Sequence, residues 1–179
     1  MIDMATGHEQ VQARQRFRLD PSRSRAAFRG RKFGFVSVSG HFGSSIAGQL
    51  VMHGDLLDAL GTVDARSIST GMRKRNRHLK SIDFLDADAH PELALGAVDI
   101  PAHGREAAVD ASFTFKGVTR RLPLTVSVDR HGDDLHVRAS GQADRSDLGI
   151  KPPPFWHWLV SERLWIDIDL VATREEAPQ

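Results

Sequence analysis

Residues 67–86, SISTGMRKRNRHLKSIDFLD, are the segment around which the rest of this chain is organised, because the dominant sequence pattern changes there. On either side of it, apolar and polar residues mostly alternate with a period of two, which is typical of strands with one buried face. Within 67–86 the apolar spacing lengthens to that of a helix, and five Lys/Arg lie between Arg73 and Lys80. The sequence therefore predicts a β-rich chain with one inserted basic helix, near 71–85.

The clearest alternation lies in residues 107–115, whose apolar members share one face of a strand: Ala107, Val109, Ala111, Phe113 and Phe115. The same period continues through 122–128, 135–143 and 164–170, and turn residues separate these runs. Many such strands with one apolar face indicate an antiparallel sheet. Because closure removes exposed sheet edges, we predict an all-β fold in which about eight antiparallel strands form a barrel.

The interior of such a barrel is either filled by its own side chains or holds one small ligand. Small inward residues, among them Ala111, Ala139 and Gly141, favour an open interior because they leave volume unfilled. The same small residues also suit tight packing between two sheets, so both interpretations stay open at this point. Residues 56–60 are expected to form a short helical or irregular connection.

Composition sets limits on the class of protein. The chain has 179 residues, a formal net charge of +1 and no cysteine. Its length suits one domain over 16–174, between a disordered tail at 1–15 and a short tail at 175–179. The small net charge does not indicate a nucleic-acid partner, and no apolar run is long enough for a transmembrane helix. The first residues lack the apolar core of a signal peptide, so we expect a cytoplasmic protein.

The basic segment allows two interpretations. Thr70 or Ser69 can cap its first turn, and at helical spacing Met72, Leu79 and Ile82 fall on one face. That face predicts a helix packed onto the barrel, with its charged side in solvent. The alternative is that some of its cations contact an anionic headgroup or a phosphate at the mouth of the barrel.

The same segment carries a resemblance to a known family. Thr70-Gly71, residues 75–81 (RNRHLKS) and residues 83–86 (DFLD) resemble the TG…RDxHLRSxDFFD signature of YceI-like proteins. Four further blocks follow the family's order: residues 19–28 resemble DPxHSxxxF, residues 34–42 GFSxVxGxF, residues 113–119 LTxxGVT and residues 145–150 RSDFGI. The chain departs from the family where Asn76 replaces Asp, where Arg23 replaces His, where Phe33 replaces the His of a Lys-His pair, and where Leu85 and Leu148 replace Phe.

The resemblance implies a lipocalin-like barrel whose apolar lumen holds a long isoprenoid or a similar amphiphile, and no other cofactor. We therefore predict a non-catalytic binding protein that carries, stores or senses a long-chain apolar or amphiphilic ligand. Aromatic residues are predicted at the wall or mouth of the lumen: Phe28, Phe35, Phe42, Phe84, Phe113 and Phe115. Arg73, Arg77 and His78 are the candidates for contacts with a ligand headgroup.

Two other functions stay open. A barrel enzyme acting on a small hydrophobic substrate is possible, although the chain has neither a GxSxG elbow nor a Gly-rich phosphate loop. A barrel without ligand could instead serve as an interaction module through the Pro/Trp-rich residues 152–158, which also suit a homodimer surface. Nine histidines are present, but none forms an HExxH or HxH motif, so we expect no metal site.

Overall fold

The computed structural model describes residues 14–32, 36–43, 45–103, 106–151 and 162–175. In the first half of the chain the elements follow in this order: β1 Gln15–Leu19, β2 Arg25–Lys32, β3 Val36–Phe42, β4 Ala47–His53, β5 Leu56–Asp64, a 3-10 helix Ala65–Ser67, β6 Ile68–Ser69 and α1 Arg73–Lys80. The second half continues with five long strands: β7 Glu92–Pro101, β8 Ala107–Phe115, β9 Val118–His131, β10 Asp134–Asp144 and β11 Arg163–Arg174.

These strands close into an antiparallel barrel. β1 and β2 pair in succession with β11 on one side, and with β4 and β3 on the other. β1 and β2 therefore form one long strand with an interruption between them. In the same way, β3 and β4 form one interrupted strand, and β5 and β6 form another. With β7 to β11 this makes eight strands, each hydrogen-bonded to its neighbours in sequence, and the pairing of β1 with β11 closes the ring. The prediction of an all-β, eight-stranded antiparallel lipocalin-like β-barrel with one inserted helix is confirmed.

The up-and-down order gives the barrel two different ends. The helix end carries α1, the facing ends of β2 and β3, and the tight turn between β8 and β9, where Lys116 and Gly117 both have positive φ. The turn end carries the short connections from β4 to β5 and from β9 to β10.

The turn end is a filled core. Large side chains there are completely buried, among them Phe17, Leu57 and Leu135. Phe17 is 0% exposed and packs in one apolar cluster with residues from the neighbouring strands. Burial of this kind is the main favourable term in folding, so the turn end anchors the barrel.

The expected irregular connection at residues 56–60 is wrong, because β5 begins at Leu56. Gly54 adopts φ +63°, which closes a two-residue turn and pairs His53 directly with Leu56. Strand pairing thus restarts without a connecting segment. Of the two predicted tails, residues 1–13 and 176–179 lie outside the described residues, and β1 already begins at Gln15.

The helix differs from its prediction in length and in packing. α1 spans only Arg73–Lys80, and Met72 occupies its N-cap position without a side-chain hydrogen bond. Thr70 does not cap the helix; its N–H and hydroxyl both donate to Asn76 Oδ1, at 2.9 and 2.6 Å. The predicted apolar packing face is also wrong: Leu79 is half-buried, but Met72 and Ile82 lie just outside the helix and are 56% and 78% exposed.

Candidate functional site

An apolar cavity of about 1000 Å³ occupies the barrel interior from its middle to the helix end. Its wall is built from inward-facing residues of the strands, including Ile46, Leu95, Ala139 and Ile166. Several of these residues are only half-buried although they face inward, because they border open volume. A volume of this size lies at the upper end of the range for small-molecule sites. The cavity is therefore large enough for a ligand of lipid size.

Four of the predicted aromatic residues line this cavity: Phe28, Phe42, Phe84 and Phe113. The rings of Phe28 and Phe42 lie 6.1 Å apart, on neighbouring strands. Phe28 is paired with Gly40 across the sheet, and a Cβ added to Gly40 would come within 2.7 Å of the Phe28 ring. The glycine therefore lets the aromatic ring lie flat against the barrel wall.

The other two predicted aromatic residues are placed differently. Phe115 is 0% exposed and does not line the cavity; it packs in a small apolar cluster beneath α1 with Ile68, Leu85 and Leu93. Its position at the last residue of β8 directs it into the contact between the barrel and the segment after α1. Phe35 lies outside the described residues.

Cations border the cavity where it meets solvent. Arg77 and His78 line it, and the His78 ring contacts the Phe84 ring edge-on at 4.9 Å. Lys74 lines it as well and is exposed. Arg73 is exposed but does not border the cavity. The predicted set of aromatic and basic residues thus comes together in part, and whether these side chains contact a ligand remains a prediction.

A hydrogen-bond network fixes the start of α1 beside the cavity. Arg75 donates from Nε to the Thr70 hydroxyl at 2.7 Å and from Nη2 to the Thr70 carbonyl at 2.6 Å. Asn76 Oδ1 accepts from the same residue, so Thr70 is held from two sides. Arg75 also lines the cavity. This network orients the helix, although the apolar residues that flank it, Met72 and Ile82, stay exposed.

Arg145 is a buried cation at the cavity wall that the site prediction omitted. It is 4% exposed and lines the cavity, although most of its neighbours there are apolar. Its Nη2 donates to Glu162 Oε2 at 2.9 Å and its Nη1 to the Ile150 carbonyl at 3.2 Å. Within the described part of the chain its Nε–H has no acceptor. The sequence motif at 145–150 contained this residue, but nothing in the motif indicated burial.

Glu162 balances the buried guanidinium. Hydrogen bonds from Ser146, including its backbone N–H at 2.8 Å, lower the pKa of Glu162, and the charge of Arg145 lowers it further. The carboxylate is therefore ionised at neutral pH. A buried charge is costly unless it is paired, so this pair keeps Arg145 stable at the edge of an apolar cavity.

Among the described residues one group has the geometry of a metal site: His53, Asp58 and Asp99. It lies at the turn end, and none of the three residues lines the cavity. Asp58 accepts a hydrogen bond from the Asp99 N–H at 3.0 Å and lies 3.1 Å from His53 Nε2. These two contacts lower the pKa of Asp58. Protein groups therefore already stabilise this carboxylate.

No helix within the described ranges is long and apolar enough to cross a bilayer.

Comparison with known proteins gives a family and a fold. A family model described as a YceI-like domain matches residues 17–172. Among curated proteins, Protein YceI of Escherichia coli O157:H7 is 27% identical over 96 residues, which cover 50% of each chain. A UPF0312 protein of Pseudomonas aeruginosa is 29% identical over 96 residues, again covering 50% of each. The chain thus spans about half the length of the curated relatives it matches.

Two solved structures share the barrel. BcnA of Burkholderia cenocepacia superimposes with a TM-score of 0.77 at 22% identity, covering 87% of this chain and 99% of that one. A polyisoprenoid binding domain from Saccharophagus degradans superimposes with a TM-score of 0.71 at 15% identity, covering 89% and 98%. At these identities the similarity establishes the fold alone.

Proposed function

We propose that this chain, which belongs to the YceI-like family, is a non-catalytic binding protein. Its proposed ligand is a long-chain apolar or amphiphilic molecule of isoprenoid or fatty-acid type. The observation that carries the proposal is the open apolar cavity of about 1000 Å³ within the barrel. The similar domain from Saccharophagus degradans is described as polyisoprenoid binding, which supports the same class of ligand.

Burial of the ligand chain supplies the affinity. Each methylene removed from water contributes about 0.8 kcal/mol, so ten of them give about 8 kcal/mol before costs. Loss of translation and ordering of the chain subtract several kcal/mol. The apolar wall therefore binds chains by length rather than by a particular functional group, which suits carriage, storage or sensing of a lipid.

A polar headgroup would lie at the helix end in this proposal. Lys74, Arg77 and His78 border the cavity there, and the exposed Lys74 and Arg77 remain in contact with water. A carboxylate or phosphate at this position would accept charge-assisted hydrogen bonds and would not be buried in the apolar interior. Arg73 lies on the same helix and would act on an anionic headgroup only at longer range.

A chain-length series tests this function. A fluorescent long-chain probe is bound to delipidated protein and displaced by straight-chain and prenyl alcohols of increasing length. We expect affinity to rise by roughly fourfold for each added methylene until the cavity is filled, and then to level off. Affinity that does not depend on chain length would contradict the proposal, and turnover of the bound alcohol would indicate an enzyme instead.

A further inference from the structure

We propose that the helix end of the barrel docks onto a lipid bilayer that contains anionic phospholipids. The docking surface is defined by two sets of residues: the exposed apolar Val36, Met72, Ile82 and Val118, and the cations Arg31, Arg73, Lys74, Arg77 and Lys116. This surface surrounds the opening of the ligand cavity, shares Arg31, Met72, Lys74 and Arg77 with the cavity lining, and adds a second partner to the proposed function. Exposed apolar side chains, the cations of α1 and the cavity opening meet at this surface.

Exposed apolar residues concentrate at the helix end. Among the described residues, six large hydrophobic side chains are strongly exposed: Val36, Leu60, Met72, Ile82, Val98 and Val118. Four of them lie at the helix end, because Val36 begins β3, Val118 begins β9, and Met72 and Ile82 flank α1. Single exposed hydrophobics are normal, but a group of them around one opening indicates an interaction site.

The cations of the same surface are not neutralised. In the described part of the chain, no carboxylate lies within ion-pair distance of Arg73, Lys74 or Arg77. Other cations are paired at both ends: Arg18 pairs with Glu175 at 3.0 Å and Arg23 with Asp134 at 2.8 Å at the turn end, and Arg163 pairs with Asp144 at 3.0 Å at the helix end. Helix α1 therefore presents three exposed cations, without an ion-pair partner among the residues described, beside the cavity opening, where the exposed carboxylate of Asp83 also lines the cavity.

Two further cations lie over aromatic rings at this end. Lys116 Nζ lies 5.3 Å from the centre of the Phe115 ring, and the Arg31 guanidinium lies 5.5 Å from the Trp165 ring. Lys116 belongs to the tight turn that leads into Val118. Cations and apolar side chains thus lie together at the helix end, as they do on proteins that lie at a bilayer interface.

The cavity opens through the docking surface. Met72, Lys74 and Arg77 are exposed to solvent and also line the cavity. A bilayer at this surface would face the opening directly, so an apolar chain would pass between membrane and cavity with little exposure to water. Of the anionic partners, a bilayer fits best, because it accepts aliphatic side chains between its headgroups and places phosphates against the cations. Nucleic acid offers phosphates but no apolar surface for Ile82.

Vesicle flotation tests the proposal with the 179-residue chain. Vesicles of phosphatidylcholine mixed with phosphatidylglycerol are compared with vesicles of phosphatidylcholine alone, without added cargo, so the result does not depend on what the cavity binds. We expect binding to the anionic vesicles only, and weaker binding at high salt because the charges are screened. Absence of binding to the anionic vesicles, or equal binding to both kinds, would overturn the proposal.

Two matched triple variants locate the surface. The variant R73Q/K74Q/R77Q should bind anionic vesicles on the order of a hundredfold more weakly, since each cation near such a surface contributes roughly fivefold. The control R16Q/R130Q/R174Q makes the same change in net charge with exposed residues at the turn end, and its binding should match that of the unchanged protein. Equal losses in the two variants would mean that only net charge matters, and would contradict a defined surface.

Insertion of Ile82 is tested separately. Ile82→Ser should reduce vesicle binding by about tenfold, because the side chain no longer enters the apolar boundary. The chain has no cysteine, so Ile82→Cys and, as a control at the turn end, Asp133→Cys can each be labelled with one solvatochromic dye. We expect a blue shift on anionic vesicles at position 82 and none at 133. No shift at 82, or binding to duplex DNA that matches vesicle binding and persists in Ile82→Ser, would overturn the proposal.

Discussion

The two halves of the barrel are built from the same strands by the same alternation, yet one is filled and the other is open. At the turn end the inward residues Phe17, Leu57 and Leu135 are completely buried. Towards the helix end the inward residues Phe28, Phe113 and Ile166 are only half-buried because they border the cavity. The comparison shows that alternation determines which side chains face inward, whereas residue volume summed over all strands determines whether the interior is full.

The largest difference between the halves should appear on truncation of a large side chain. Phe17→Ala removes a completely buried ring from the filled core and should lower the free energy of unfolding by about 3–5 kcal/mol. Phe113→Ala removes a ring that already borders open volume, so the loss should be less than half as large. Urea unfolding of delipidated protein measures both values. Equal losses would mean that the cavity collapses around Phe113 and is not a preformed space.

Enlarging a small inward residue should lower stability in the filled half of the barrel, whereas in the open half it should weaken ligand binding. Ala172, 0% exposed, lies in the filled core, so Ala172→Trp should overpack it and cost about 1–3 kcal/mol or more. Ala139 lines the cavity, so Ala139→Trp should change stability by less than about 1 kcal/mol. The Ala139→Trp variant should nevertheless bind a long-chain probe at least tenfold more weakly, because the indole fills cavity volume that the proposed ligand would occupy. Undiminished probe binding would place the ligand elsewhere.

A smaller effect is expected at the network that orients α1. Asn76→Ala removes the acceptor of two hydrogen bonds from Thr70 and should cost about 1 kcal/mol of stability. Asn76→Asp keeps an acceptor oxygen for both hydrogen bonds and places a negative charge near the basic helix, so it should be neutral or stabilising at pH 7. Thermal unfolding compares the three proteins. A loss in Asn76→Asp as large as in Asn76→Ala would contradict the role given to this oxygen.

The smallest predicted effect is a pH dependence at the Arg145–Glu162 pair. Because hydrogen bonds from Ser146, and then Arg145, lower the pKa of Glu162, its stabilising contribution is full above the ordinary value of 4.5 and is lost as pH falls through the folded-state pKa. The carboxylate is 47% exposed, so solvent screening keeps this contribution below about 1 kcal/mol.

The pair is tested by Glu162→Gln, with the exposed Glu106→Gln as the matched control. Unfolding midpoints are measured between about pH 3 and pH 7, the range in which the carboxylate titrates. Glu162→Gln should be less stable than the unchanged protein at pH 7, and the difference should shrink in acid. A difference that stays constant with pH would show that the loss comes from packing rather than from charge.

The sequence predicted the barrel well because alternation is a local property. Leu122, Leu124, Val126 and Val128 alternate in the sequence and all are buried in the structure. The helix was predicted less well because Met72 and Ile82 lie at helical spacing but outside the helix, so spacing alone could not reveal that they are exposed. Exposure there depends on the turns that end α1, which the local pattern does not encode.

The remaining features of the site depend on long-range contacts. The pairing of Arg145 with Glu162 joins two parts of the chain separated by the connection from β10 to β11, and sequence spacing gives no signal for it. The openness of the cavity likewise depends on the register of all eight strands. The resemblance to YceI-like proteins predicted both the fold and the apolar lumen, yet it could not predict that Phe115 packs beneath α1 while Phe113, two residues earlier, borders the cavity.

The most direct test of a lipid-binding barrel is native mass spectrometry of protein purified from its host without detergent, followed by solvent extraction of the bound material. We expect one long-chain amphiphile per protein chain, lost in Ala139→Trp and retained in the R16Q/R130Q/R174Q control. A chain that carries no ligand, and that takes up none from an isoprenoid or fatty-acid mixture, would contradict the claim that the cavity is a binding site.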